Sequence, residues 1–173
     1  MSEAAAYQTW PVFDAPVASA ARVLPCLPDG AQRILLCWGG DRDAAEALRA
    51  RGCHVAGVGT EDHDRDTGDA DGAHLDEVLP GPLDKAEPRG AYDAVIAFRA
   101  IEWVREPEAV FARLAGHLAP GGALLAVAPN VQHYETVVAL ANGEWPFFDA
   151  AAPLRHPLRF YTAPELAGFI ERI

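Results

Sequence analysis

The chain has few of the residues that build nucleophilic or metal-held sites. Serine occurs only at positions 2 and 19, so a serine nucleophile has no host. No GxSxG elbow and no phosphate-binding P-loop is present. Cysteine occurs three times, as Cys26, Cys37 and Cys53. That number is odd and the spacing is not that of metal ligands. They read as small buried hydrophobes in a reducing compartment. Basic residues number 14 against 25 acidic ones, for a net charge of −11. Such a surface repels phosphate backbones and anionic lipid, which excludes nucleic acid and membrane as default partners. No apolar run approaches the ~18–20 residues that span a bilayer. The opening MSEAAAYQTWPVFDAP has neither a basic stretch nor an apolar core after it. No secretory signal is read there, and the chain is expected to be cytoplasmic.

What is present suffices for one folded domain. The 173 residues are 50% apolar and 23% charged. Residues 1–30, rich in Ala and Pro, read as a lead-in segment packing on the core, with a short helix near 16–24. Trp10 and Phe13 are expected to cover one end of that core. Residues 31–173 form the domain proper.

RILLC (33–37) is a continuous apolar run after the turn signal at 28–30, which suits a strand buried on both faces. Asp43, three residues before Glu46, reads as a capping-box variant opening a helix that stops at Gly52. HVAGVG (54–59) is a second buried strand, giving a βαβ unit and hence a parallel sheet. EVLPG (77–81) is a weak third strand and YDAVIAF (92–98) a clear fourth. A helix starts with Pro107 in its first turn and shows Val110, Phe111, Leu114, Ala115 and Leu118 on one face. ProGlyGly at 120–122 is expected to end it, and ALLAVAP (123–129) to be the fifth strand. A helix is expected over 131–142. Thr162 and Glu165 make a capping box for a last helix whose face carries Leu166, Phe169, Ile170 and Ile173. Five strands alternating with helices predict an α/β, doubly wound, mostly parallel sheet, with ligands at the carboxyl ends of the strands.

Two stretches, AYDAVIAFRAIEWVREPEAVFARLAGHLAPGGALLAVAPN (91–130) and GEWPFFDAAAPLRHPLRFYT (143–162), resemble class I S-adenosylmethionine-dependent methyltransferases of the small bacterial type. The resemblance runs from about residue 28 to 173. It implies a Rossmann-like sheet of order 3-2-1-4-5. It also implies a C-terminal antiparallel hairpin, which this sequence lacks because it stops at Ile173. Either the sequence is a fragment of a longer chain, or the outer edge of strand 123–129 is expected to be covered by a protein partner or a second copy.

The same resemblance assigns cofactor contacts, and here the sequence departs from it. The glycine-rich turn after strand one is Leu36-Cys37-Trp38-Gly39-Gly40-Asp41-Arg42, in which only Gly40 falls on a family glycine and Trp38 and Arg42 fill two others. The acid that holds the ribose is replaced by Gly59, with Glu61 two residues on. The Asp near the adenine is replaced by Pro82. Leu-Glu-His after strand four is Ile101-Glu102-Trp103, and His-Leu-Arg near the end is Pro157-Leu158-Arg159, with His156 displaced by one. The candidate cofactor-binding residues are Trp38, Gly39, Gly40, Gly59, Glu61 and Phe98. His133 and Tyr134, after strand five, are the candidates for a base or substrate contact.

Two functions stay open. One is a non-catalytic interaction or scaffold module with a degraded S-adenosylmethionine pocket. The other is an active methyltransferase whose pocket is rebuilt around Trp38, acting on a small-molecule or sugar-like acceptor. Methyl transfer needs an aligned acceptor and a dry site more than a dedicated nucleophile, so missing motifs do not decide between them. Asp41 and Asp43 would repel phosphate at the first helix, against another nucleotide.

Three further features have plainer readings. Asp62, Asp64 and Asp66 have calcium-loop spacing, but Thr67 stands where the loop needs Gly and Ala73 where it needs Glu. Residues 60–77 therefore read as a solvated acidic loop, and no metal is expected. Trp145, Phe147, Phe148, Phe160 and Tyr161 form an aromatic tail that packs on the sheet or closes as a lid. Arg155, His156 and Arg159 form the local basic cluster.

Overall fold

A computed structural model describes residues 20–37, 42–59, 73–145 and 157–173. Five strands form one sheet: β1 (Arg33–Cys37), β2 (His54–Gly59), β3 (Glu77–Pro82), β4 (Tyr92–Phe98) and β5 (Leu118–Val127). Their order is β3-β2-β1-β4-β5 and every pairing is parallel. This is the doubly wound Rossmann-like arrangement that the alternation of apolar runs and helices implies.

Successive side chains of a strand point to opposite faces, and the core divides accordingly. Leu35, Cys37, Val95 and Ala97 lie on one face, under α2 (Pro107–Ala115) and α4 (Ala163–Glu171). Ile34, Leu36, Ala94 and Ile96 lie on the other, under α1 (Arg42–Ala50) and Val23 and Leu24 of a 3-10 turn, Ala20–Cys26. Burial on both faces is why these runs are apolar without alternation. Asp93 pins the start of the central pair, because its Oδ2 accepts the Gln32 and Arg33 amides at 2.8 Å each.

Several boundaries differ from the sequence reading. The described part of the first segment is a 3-10 turn, while Trp10 and Phe13 lie outside the described residues. Helix α1 already includes Asp43, so Asp43 sits within its first turn rather than at its cap. Gly52, at φ +84°, closes that helix as expected. Helix α2 ends at Ala115, and Leu118 is the first residue of β5, not the last apolar position of the helix. ProGlyGly therefore lies inside β5 as an irregularity. The pairing with β4 shifts register between Tyr92 and Ala94, and Gly121 takes φ +80°. Strand β5 is correspondingly longer at its start than 123–129 and ends at Val127.

Helix α3 (Tyr134–Ala141) has no buried residue, and Val137, Val138 and Leu140 are exposed. Helix α4 has the expected capping box: the Glu165 amide donates to Thr162 Oγ1 and the Thr162 amide to Glu165 Oε2. Its Phe169 is buried edge-on against Phe111, with centroids 6.0 Å apart. No described helix is long and apolar enough to cross a membrane.

Candidate functional site

The chain reverses its direction of travel between β1 and β4, and ligands in such sheets bind outside the carboxyl ends there. Of the cofactor candidates, Trp38, Gly39, Gly40 and Glu61 lie outside the described residues. Gly59 ends β2 and pairs with Pro82 at the end of β3. Neither residue offers a polar side-chain atom. Pro82 has no amide hydrogen, and its carbonyl already accepts the Lys85 and Ala86 amides at 2.9 Å each. At these two positions neither side chain offers a hydrogen-bonding group to a ribose or an adenine. Phe98 is buried at the end of β4, and its ring belongs to the core on the α1 face.

The chemistry-bearing groups gather one step further, where β4 exits. Arg99 takes φ +49°, a left-handed conformation that costs a non-glycine residue about 1 kcal/mol or more. Its amide donates to the Val127 carbonyl at 2.8 Å, which joins the β4 and β5 exits. A 3-10 turn, Ile101–Trp103, follows and buries Glu102 to 2% exposure. Glu102 Oε1 lies 3.2 Å from Arg99 Nε. Its Oε2 is buried with no hydrogen-bond partner among the described residues. Burial pushes the Glu102 carboxyl up to about 6, against the opposing pull of Arg99.

The Glu102 main chain also fixes the tail. Its carbonyl accepts the Leu158 amide at 2.8 Å and the Arg159 amide at 3.2 Å. Tyr161 then bridges in parallel to Asn130, and the Val131 amide donates to its carbonyl at 3.0 Å. The result is a small groove. It is lined by Arg99 and Glu102, by Pro129 from the β5 exit, and by Pro157, Arg159, Phe160 and Tyr161 of the tail. The Tyr161 hydroxyl is the second buried polar atom in it without a partner among the described residues. Burial raises its pKa, so it stays a neutral phenol. A buried polar atom left unsatisfied costs about 1–3 kcal/mol.

The substrate-contact candidates sit elsewhere. The His133 and Tyr134 rings lie 5.1 Å apart, and the Tyr134 hydroxyl donates to Glu135 Oε1 at 3.1 Å. Neither lines the groove. Of the aromatic tail, Trp145 and Phe160 stand edge-on at 5.6 Å and both are exposed. Phe147, Phe148, Arg155, His156 and the acidic run from Glu61 to Asp71 lie outside the described residues. Cys37 and Cys53 are buried free thiols, and burial raises the pKa of each. Sequence reasoning passed over Arg99 as the partner of Glu102 and Tyr161 as a residue of the same groove. The available signal was one carboxylate inside an otherwise apolar stretch, Ile101 to Val104.

No curated protein matches the chain. Solved structures do. A Nostoc punctiforme protein described as an O-methyltransferase candidate is 14% identical, with a TM-score of 0.59 over 88% of this chain and 47% of that one. The CcbJ methyltransferase of Streptomyces caelestis is 18% identical, with a TM-score of 0.48 over 65% of this chain and 48% of that one. A TehB-like S-adenosylmethionine-dependent methyltransferase of Corynebacterium glutamicum is 20% identical, with a TM-score of 0.47 over 60% of this chain and 58% of that one. The chain thus spans about half the length of the solved structures it matches. The model of a methyltransferase domain family matches residues 25–173. With that match over most of its length and the 3-2-1-4-5 sheet, the chain belongs to the methyltransferase domain family.

Proposed function

We propose that this methyltransferase domain does not hold S-adenosylmethionine tightly and serves as an interaction module. The observation that carries the reading is the meeting of Gly59 and Pro82 at the ends of β2 and β3. There the cofactor would find neither a ribose acceptor nor an adenine partner. Two ribose bonds and one adenine bond are worth about 0.5–3 kcal/mol each, so losing all three weakens binding by a few powers of ten. The bulk of Trp38 and Arg42 in the sequence of the turn supports the same reading.

The interaction surface of this module is the outer edge of β5. Among the described residues β5 pairs only with β4, so its far side presents unpaired backbone groups. The exposed Val137, Val138 and Leu140 of α3 follow it in the chain. Its proposed occupant is another protein or a second copy of this chain, unless further residues of a longer chain cover it.

Calorimetric titration of the folded chain with S-adenosylmethionine and its demethylated product tests the first half. No binding at millimolar ligand is the expected outcome, and micromolar binding of either overturns the reading. Light scattering tests the second half. A dimer or a co-purifying protein is expected, and a lone monomer counts against the edge. Glu102, with one oxygen unpaired beside the sheet's ligand end, favours a second reading. In it the pocket is rebuilt around Trp38 and the domain methylates a small-molecule or sugar-like acceptor. Micromolar cofactor binding would select that reading.

A further inference from the structure

Glu102 is shut in by a stretch of chain that is itself lightly held. Pro157, Arg159, Phe160 and Tyr161 wall its groove, yet Leu158 and Phe160 remain exposed. Ahead of α4 this tail hangs from the Glu102 carbonyl by the Leu158 and Arg159 amides, and from Asn130 by the bridge to Tyr161. A few backbone bonds over little buried apolar surface are what local opening breaks first. The groove is too small for anything larger than a water. Glu102 Oε2 is shut off from solvent and has no donor among the described residues. While the tail is docked, the ionised carboxylate therefore keeps one oxygen unsolvated and unpaired, which is costly.

The charges around Glu102 leave that cost in place. Arg99, on the same turn, meets only Oε1, and its side chain is half exposed, so solvent screens its pull. The tail brings Arg159, whose guanidinium donates to the Arg105 carbonyl, and the neutral Tyr161 phenol. Beyond Tyr161 lie Glu108 of α2 and Arg172 of α4, which pair with each other at 3.2 Å. Pro129 at the β5 exit brings no charge, and no histidine lines the groove among the described residues.

We propose that the tail is a proton-gated strap: it stays docked across the β4 and β5 exits while Glu102 is protonated, and ionisation of Glu102 releases it so that water reaches the buried oxygen. Linkage sets the direction. The docked carboxyl titrates at about 6, against 4.5 for a solvated one. Docking is thus strongest below 4.5 and weakens as pH rises through about 6. The full difference is worth about thirtyfold in the opening equilibrium. The strap uses neither the 38–41 turn nor the ends of β2 and β3, so it stands whether or not S-adenosylmethionine binds.

Amide hydrogen exchange of the full chain tests this, read by nuclear magnetic resonance from about pH 4 to about pH 7.5 and corrected for intrinsic rates. The Leu158 and Arg159 amides should exchange through a local opening, ahead of the β1 and β4 amides. Their opening constant should rise about thirtyfold across that range and level off above about 6. Glu102→Gln should hold it flat. Arg99→Gly suits the left-handed backbone but removes the cation on Oε1, and should move the levelling point to higher pH. Tail amides as protected as those of β1 and β4 at every pH would overturn the proposal, because the tail would then leave only on global unfolding. A flat opening constant in the parent chain overturns it too, as does a rise that persists in Glu102→Gln. An Arg99→Gly profile identical to the parent's also counts against it.

Discussion

Arg99 Nε lies 3.2 Å from Glu102 Oε1 and leaves the other carboxylate oxygen unpaired in a buried site. One guanidinium on one edge does not offset the loss of water on the other. That is why burial moves the Glu102 pKa from 4.5 to about 6 despite Arg99. A carboxyl whose folded pKa is raised contributes stability that is fully present below 4.5 and is lost as pH rises through about 6. The shift corresponds to about 2 kcal/mol. Glu102→Gln does not titrate. Its stability relative to the parent should therefore rise by about 2 kcal/mol between mildly acidic and neutral pH. Urea unfolding at a series of pH values checks this, and a pH-independent difference contradicts it.

Asp93 works with the opposite sign. Its Oδ2 takes the Gln32 and Arg33 amides, and these two bonds lower its pKa below the usual 3.8. Its contribution is present above that value and is lost as pH falls through the folded one. Asp93→Ala should destabilise the domain by about 1–3 kcal/mol at neutral pH. Asp93→Asn, which keeps a neutral acceptor, should cost less. The gap between parent and Asp93→Ala should close in strong acid, as measured by urea midpoints.

Gly122 is fixed by space, and Gly121 by backbone geometry. A Cβ at Gly122 would lie 2.9 Å from the Ala119 carbonyl oxygen and 3.1 Å from those of Tyr92 and Asp93. Backbone cannot move aside as a side-chain tip can, so Gly122→Ala should cost about 1–3 kcal/mol. At Gly121 an added Cβ meets nothing within 4 Å, but φ is +80°. Gly121→Ala should therefore cost about 1–2 kcal/mol through the left-handed backbone alone. Denaturant midpoints separate the two. Only Gly122→Ala should also disturb the β4–β5 register, read from amide chemical shifts.

The same ProGlyGly shows where sequence reasoning succeeds and fails. Strands β1, β2 and β4 were legible because each is a nearly continuous apolar run, and a sheet buried on both faces needs such runs. The order 3-2-1-4-5 came from resemblance, supported by the β1-α1-β2 unit and by the helix between β4 and β5. The glycines were read as a helix stop because punctuation of that kind usually is one. The actual constraint on Gly122, close approach to the Tyr92 and Asp93 carbonyls of β4, depends on neighbours distant in the chain, which no local pattern shows. The groove was illegible for the same reason. Glu102 and Tyr161 share it only because Leu158 and Arg159 hang from the Glu102 carbonyl. The candidates chosen by position, His133 and Tyr134, instead partner each other and Glu135.

Helix α4 anchors that tail, and two of its residues test how. Phe169, 1% exposed, stands between Phe111 at 6.0 Å and Tyr161 at 6.1 Å between ring centroids. Phe169→Ala empties a ring-sized volume in the core and should cost about 3–5 kcal/mol. Thr162→Ala removes the cap acceptor for the Glu165 amide and the hydroxyl donor to Glu165 Oε2, and should cost about 1 kcal/mol. The two variants should also differ in what they do to the groove. Tyr161 loses its supporting ring only in Phe169→Ala, so only that variant should shift the Tyr161 resonances strongly while the domain stays folded in mild conditions. Equal effects of both variants on Tyr161 would mean that the cap, not the ring contact, positions it.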